Sequence, residues 1–231
     1  MRIKAILIDV DNTLLDFDEC VKAALRDGFA RFGLPPYREE MFPIFTRINN
    51  KLWHQIELGE LTREELMKIR FDQVFEALGI DFDGVTFEDY FRQYLFDSAI
   101  HVDGALDLLQ YLAGKYTVCA ASNGPYQQQI HRLKNGGMYP YMAHCFISEQ
   151  VGAEKPSAAF FDRCFETMRR DQPDLQPAEV LMIGDSLTAD MAGGIAYGMP
   201  TCWYSRDGKT VPDDMAVDHV VKTLNEIKNI V

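Results

Sequence analysis

The sequence predicts an α/β protein with a Rossmann-like parallel sheet core and an inserted all-helical cap. From about residue 100 onward, short apolar runs alternate with amphipathic helical segments, as in a parallel sheet whose strands are joined by helices. One further apolar run opens the chain, and the stretch behind it has helical periodicity without a convincing strand. We therefore expect an α/β core domain formed by residues 1–16 and 97–231 and a helical cap domain formed by residues 17–96.

The elements follow in order from these patterns. The predicted strands are short apolar runs that end in Gly, Ser, Asn or charge: Ile3–Ile8, Thr117–Ala121, Cys145–Ile147, Val180–Ile183 and Pro200–Tyr204. The predicted helices are Glu19–Phe32, Arg38–Leu58, Thr62–Leu78, Thr86–Phe96, Ala105–Leu112, Ala158–Met168 and Leu187–Tyr197. Glu65, three residues after Thr62, predicts a capping box. An insert directly after the first strand is expected at the carboxyl edge of the sheet, in the position of a lid.

Composition limits the classes of partner. The 231 residues carry a net charge of -12 and are 47% hydrophobic, which describes a core-forming globular chain rather than a disordered one. DNA, RNA and anionic membranes need clustered Lys and Arg, so neither a polymeric nucleic acid nor a membrane is an expected partner. The oligomeric state is left open.

Two features favour a cytoplasmic location. No apolar run approaches the 18 residues that a membrane span needs, and the amino-terminal stretch carries Asp9 and Asp11 where a signal peptide would be apolar. The five cysteines are odd in number, widely spaced and contain no CxxC pair, which is typical of reduced thiols.

The first strand ends in a pair of carboxylates. Asp9 and Asp11 are two residues apart, so both side chains can project toward one side while Val10 enters the core. Mg²⁺ takes oxygen ligands from one or two carboxylates and from substrate phosphate, so this pair suits a magnesium site. Taken alone, the same pattern also fits an Asp-rich turn that closes a strand.

A second strand ends in the same way, at Asp185 and Asp190. Parallel strands open on one edge, so Asp185 can complete a cation site with Asp9. Asp190, one turn further, either orients neighbouring groups or simply favours a helix amino terminus.

The third strand end and a lysine supply groups suited to an anion. Ser122, Asn123 and Gly124 offer a hydroxyl, an amide and backbone N–H groups that suit a phosphate oxygen, although an ordinary Ser or Asx turn has the same residues. Lys155, before Pro156, is either a surface lysine or the charge that offsets repulsion between a carboxylate and a phosphate.

In chain order, DVDNTL, SNG, a KP dipeptide and GDSLTAD resemble the four motifs of the haloacid dehalogenase (HAD) superfamily, and the helical insert resembles its C1 cap. The resemblance implies that Asp9 is a nucleophile forming an aspartyl-phosphate and that Asp11 protonates the leaving group and then activates water. It also implies that Ser122 and Lys155 bind the phosphoryl group. Mg²⁺ would be held by Asp9, the Asp11 carbonyl and Asp185, with Asp190 and Thr13 behind these ligands.

Within the superfamily, DVDNTLLDF and SNG resemble the bacterial pyrimidine 5′-nucleotidase branch. The commoner first motif has Gly where Asn12 stands, and the second often has Thr where Ser122 stands. A nucleotide base would need contacts from the cap, and Trp53 and Arg70 are candidates that are otherwise packing residues.

The expected function is thus Mg²⁺-dependent hydrolysis of a small phosphorylated metabolite, with a nucleoside 5′-monophosphate as the leading substrate. A sugar phosphate is the alternative within the same activity. A 2-haloacid dehalogenase would use the aspartate nucleophile on carbon and needs no second acid, so Asp11 argues against it. A regulator that binds metal and phosphate without turnover would leave a complete set of reactive residues unused.

Overall fold

The computed structural model describes residues 2–231. The chain divides into two compact units, one formed by Met1–Phe17 and Ala99–Val231 and the other by Asp18–Ser98. The first is an α/β unit built on a six-stranded sheet, and the second is helical. The predicted fold class is confirmed.

The sheet of the α/β unit is wholly parallel. Its strands are β1 (Ala5–Ile8), β2 (Thr117–Ser122), β3 (His144–Ile147), β4 (Val180–Gly184), β5 (Thr201–Tyr204) and β6 (His219–Val221), in the spatial order β3-β2-β1-β4-β5-β6. The order reverses between β1 and β4, and open α/β sheets bind ligands beside the carboxyl ends of the strands at such a reversal. The first and second acidic strand ends therefore meet at the switch point.

The helices fall into two groups: those of the α/β unit cover both faces of the sheet, and the others form the inserted unit. In chain order they are α1 (Phe17–Arg31), α2 (Met41–Glu57), α3 (Arg63–Leu78), α4 (Gly84–Asp97), α5 (Ala105–Ala113), α6 (Tyr126–Asn135), α7 (Ser148–Val151), α8 (Ala158–Asp171) and α9 (Ala192–Tyr197). A single π-helical turn, Leu187–Met191, precedes α9. Among the described residues, no helix is both long and apolar enough to cross a membrane.

Strand β1 shows why its sequence forms a central strand. Ile6 and Ile8 face one apolar cluster, whereas Ala5 and Leu7 face the other, and all four side chains are fully buried. A strand with helices on both sides has no solvent face, so its sequence is continuously apolar rather than alternating.

The helical unit has an aromatic interior. Phe71 on α3 lies 4.6 to 5.8 Å, between ring centroids, from Phe45, Phe75, Phe87 and Phe91. The start of α3 has the predicted capping box, in which Thr62 Oγ1 accepts from Glu65 N and the Glu65 carboxylate accepts from Thr62 N.

Four elements differ from the sequence predictions. Strand β6, helix α6 and the short helix α7 were not predicted. The predicted helix Leu187–Tyr197 is split into the π-helical turn and α9. Of these, α6 matters most, because it carries two polar side chains into the site described below.

Candidate active site

The centre of the candidate site is an ion-pair cluster around Lys155. The Lys155 Nζ donates to Asp9 Oδ1 at 2.7 Å, to Asp190 Oδ1 at 2.6 Å and to the Ala121 carbonyl oxygen at 2.6 Å. Lys155 and Asp190 are fully enclosed, and Asp9 is nearly so. The cluster joins the ends of β1 and β2 to the π-helical turn after β4.

Burial and pairing set the protonation of this cluster. Burial raises the pKa of Asp9 to about 7; the Lys155 ammonium opposes that rise, while Asp190 adds to it. Burial by itself lowers the pKa of Lys155, but Asp190 and Asp9 together outweigh it, so the pKa lies above its usual value. Lys155 therefore stays charged and favours the ionised form of Asp9.

Asp190 is tied down at both carboxylate oxygens. Its Oδ1 accepts from Lys155, and its Oδ2 accepts from the Ser186 backbone N–H at 3.0 Å. The geometry depends on Gly184, because a Cβ there would lie 2.1 Å from Asp190 Oδ2. Asp190 thus orients the Ser186 backbone and the ammonium group of Lys155, the residue whose role the sequence left open.

The donor set suits a hard divalent cation. Carboxylate oxygens of Asp9, Asp185 and Asp190 lie within 4.8 Å of one another. Both oxygens of Asp190 already accept hydrogen bonds, which makes this carboxylate less suited to ligate a cation directly. The Trp203 indole N–H donates to the Asp185 carbonyl at 2.8 Å and holds that residue from behind.

Asn123 is hydrogen-bonded to the backbone of Lys155. Its Nδ2 donates to the Lys155 carbonyl and its Oδ1 accepts from the Lys155 backbone N–H, each at 2.9 Å. The side chain that was expected to bind phosphate thus bonds to the backbone of Lys155 through both amide atoms, and its contact with a phosphate stays a prediction. These two hydrogen bonds fix the backbone of Lys155, from which its side chain extends to Asp9.

Ser122 accepts two hydrogen bonds at its hydroxyl oxygen. Its Oγ accepts from the Gly124 N–H at 3.1 Å and from Gln129 Nε2 at 2.7 Å. A hydroxyl has two acceptor positions and one hydrogen, so the hydrogen remains available for an acceptor such as a phosphate oxygen. The Gly124 N–H, which was expected to suit a phosphate oxygen, donates to Ser122 Oγ in the structure.

Asp11 and Asp9 have different hydrogen-bond partners. Its Oδ1 accepts from Arg132 Nη1 and its Oδ2 from Gln129 Nε2, both at 2.5 Å. Thr13, predicted to support the site, is fully buried, and its Oγ1 has no hydrogen-bond partner among residues 2–231. The two aspartates of the first motif therefore sit in different surroundings, one beside a lysine and the other beside an arginine and an amide.

Of the two candidates in the helical unit, Arg70 requires a correction. Its guanidinium donates to both Glu88 carboxylate oxygens, at 3.0 and 2.6 Å, and to Asn49 Oδ1 at 2.9 Å. Arg70 is only 5% exposed, so it is an interior ion-pair residue and not a base contact. Trp53 is half-buried on α2, and its contact with a substrate stays a prediction.

Gln129 and Arg132 are site residues that sequence reasoning missed. The inward face of α6 consists of Gln129, Arg132 and Leu133, so apolar periodicity does not reveal the helix. The available signal was their position, three residues apart and directly after the SNG motif at a strand end.

Comparison with known proteins identifies the family. Residues 3–198 match the family model described as haloacid dehalogenase-like hydrolase, and the chain belongs to that family. HAD-hydrolase YfnB of Bacillus subtilis is 33% identical over 99% of this chain and 95% of its own. Its magnesium-bound crystal structure covers 100% of this chain and 99% of its own, with a TM-score of 0.90.

Two relatives carry names that specify an activity. Pyrimidine 5′-nucleotidase PynA of Streptococcus pneumoniae is 35% identical over 89% of this chain and 85% of its own. Pyrimidine 5′-nucleotidase YjjG of Escherichia coli is 28% identical over 97% of this chain and 96% of its own. The chain is thus a HAD-like hydrolase with nucleotidases among its relatives.

Proposed function

We propose that this hydrolase is a Mg²⁺-dependent phosphatase that acts on small phosphomonoesters through an aspartyl-phosphate on Asp9. The observation that carries the proposal is the buried Asp9 carboxylate held 2.7 Å from Lys155 Nζ, with Asp185 close by. Phosphoryl transfer depends mainly on positioning and on neutralising charge, and this arrangement supplies both.

The side chains divide the reaction into two steps. An Asp9 oxygen attacks phosphorus while the bond to the leaving oxygen breaks, and Asp11 gives that oxygen a proton. Asp11 then takes a proton from water, which attacks phosphorus and releases phosphate from Asp9. Lys155 and the Ser122 hydroxyl hold the transferring group. A bound Mg²⁺, held by Asp9, Asp185 and the Asp11 carbonyl, would neutralise phosphate charge.

A nucleoside 5′-monophosphate is the substrate we propose. Support comes from the names of PynA and YjjG and from the resemblance of the first two motifs to that branch. A sugar phosphate would use the same groups around Asp9, because those groups contact only the phosphoryl end.

The test is phosphate release from an aryl phosphate and from a panel of nucleoside monophosphates and sugar phosphates, with Mg²⁺ and with EDTA. We expect Mg²⁺-dependent turnover, the highest kcat/KM for a nucleotide, and loss of multiple turnover in Asp11→Asn. A preference for a sugar phosphate would reject the nucleotide as the substrate but would still agree with the proposed phosphatase activity.

The alternatives give different results in the same assay. Metal-independent halide release from a 2-haloacid, without phosphate release, would identify a dehalogenase. Tight binding of Mg²⁺ and phosphate without any turnover would identify a regulator. Either result would reject the phosphatase.

A further inference from the structure

Helix α6 brings two buried polar side chains to the site that the reaction scheme above does not use. Gln129 and Arg132 are both fully buried, and they lie three residues apart, on one face of the helix. Burying an amide and a guanidinium is unfavourable unless both are hydrogen-bonded or paired. Arg132 pairs with Asp11, and Gln129 bonds to both Asp11 and Ser122.

The Asp11 carboxylate is held at both oxygens by these two residues. Arg132 Nη1 donates to Oδ1 and Gln129 Nε2 to Oδ2, while Arg132 Nη1 also donates to Gln129 Oε1 at 3.1 Å. The amide orientation follows from its neighbours, because the reverse would place its oxygen against a carboxylate and its NH₂ against a guanidinium. The three groups therefore form one fixed arrangement.

The same amide connects Asp11 to the phosphate-binding hydroxyl. Gln129 Nε2 also donates to Ser122 Oγ at 2.7 Å, so its two hydrogens serve Asp11 and Ser122 separately. Close approach requires Gly124, since a Cβ there would lie 2.5 Å from Gln129 Nε2. One side chain thus sets the distance between two groups that act on opposite ends of the breaking P–O bond.

We propose that Gln129 and Arg132 are positioning residues that aim the Asp11 carboxyl at the leaving oxygen. The proposal rests on the phosphatase activity proposed above and adds two residues to it. General acid catalysis requires the donor to be within hydrogen-bond reach of the leaving atom, so a loosely held Asp11 loses its effect even though the residue is present.

The dependence of kcat/KM on the leaving group separates this role from simple loss of structure. kcat/KM covers the steps up to cleavage of the P–O bond. p-Nitrophenolate is a weak base and departs without a proton, whereas the alkoxide of a nucleoside monophosphate needs one. Arg132→Met and Gln129→Met should lower kcat/KM for uridine 5′-monophosphate, or the alkyl ester that the wild type hydrolyses best, about tenfold more than for p-nitrophenyl phosphate.

Matched variants complete the comparison. Lys134→Met removes a cation from the exposed side of the same helix and should leave kcat/KM unchanged for both substrates. Arg132→Lys keeps the charge, so the additional fall in kcat/KM for the alkyl ester should be smaller than in Arg132→Met. Because Arg132→Met removes a buried charge, Gln129→Met provides the test if the former variant does not fold.

The outcomes are distinct from those of the proposed function. Equal losses with both esters, or no loss, would overturn the positioning role. A wild-type protein without phosphatase activity would reject the proposed function instead. In that case, crystal structures of the wild type and Arg132→Met show separately whether Arg132 holds the Asp11 carboxylate: an unmoved carboxylate overturns positioning, and a displaced one shows that Arg132 fixes it.

Discussion

The side-chain amide of Asn123 forms two hydrogen bonds with the backbone of Lys155, one to its N–H and one to its carbonyl. We expect Asn123→Ala to lower kcat about 10- to 100-fold, since Lys155 loses its fixed origin; supporting residues around reactive groups have effects of this size. Asn135→Ala, at the exposed end of α6, is the control and should leave kcat unchanged. Steady-state kinetics on both variants checks this, and wild-type kcat in Asn123→Ala would contradict it.

Gly184 allows Asp190 to approach the end of β4. Gly184→Ala places a Cβ within 2.1 Å of Asp190 Oδ2, so Asp190 must move from Lys155 or from Ser186. We expect the free energy of unfolding to fall by about 1–3 kcal/mol, as for overpacked interiors, together with a loss of activity. Gly114→Ala meets nothing closer than 3.9 Å and should change neither. Urea titrations of the two variants would show the difference.

Asp185 is the carboxylate through which metal binding can be followed without turnover. Asp185→Asn should raise the dissociation constant for Mg²⁺, because a neutral amide is a weaker ligand for a hard cation. Trp203 donates to the Asp185 carbonyl, so its fluorescence in a Trp53→Phe background should report Mg²⁺ titration.

The control for this titration is Asp207→Asn, which removes an exposed carboxylate of the same charge. It should bind Mg²⁺ like the parent protein. An unchanged Mg²⁺ affinity in Asp185→Asn would exclude Asp185 as a ligand.

The helical unit depends on a buried ion pair. Glu88→Ala leaves the Arg70 guanidinium uncompensated among Phe45, Phe71 and Phe91, and should cost about 3–5 kcal/mol of unfolding free energy. Replacing both partners, as Arg70→Met with Glu88→Leu, should recover most of that loss. Glu166→Ala breaks an exposed pair with Arg163 and should change little. Equal melting curves for Glu88→Ala and Glu166→Ala would refute this.

Asn12 has a left-handed backbone, with φ at 58°. Asn12→Gly should therefore be more stable than Asn12→Ala by about 1 kcal/mol, since a Cβ is unfavourable in this region. Both variants lose the same polar side chain, so their difference isolates the backbone effect. Thermal unfolding measures it, and a more stable Asn12→Ala would contradict the explanation. The same geometry accounts for the glycine at this position in the commoner first motif.

Apolar strands and charged strand ends were readable from the sequence, but polar contacts across the sheet were not. Strand β1 and the residues after it were evident because burial on both faces leaves a continuous apolar run. Strand β6 was missed because it has three residues, two of them exposed. Helix α6 was missed because Gln129 and Arg132 face inward, and a buried polar network has no hydrophobic period.

The roles of single side chains were the least predictable. Arginine is a residue type that often binds ligands, which made Arg70 a candidate. Its partner Glu88 is 18 positions away and cannot be identified by spacing alone. Asn123 lies in a motif suited to phosphate, yet its partner is the backbone of Lys155, on a different loop. Such assignments need the tertiary structure because the partners are brought together only by the sheet.

The helical unit also bears on the order in which the protein folds. Strand β1 must pair with β2 across roughly a hundred residues, and closing so long a loop is entropically costly. Within the inserted unit, Cys20 Sγ and Ser98 Oγ lie 2.8 Å apart, so its two ends meet. If the insert forms first, it shortens the loop that β1 must close and lowers the cost by about 1 kcal/mol. Pulse-labelling hydrogen exchange should then show protection in α1–α4 before β1 and β2.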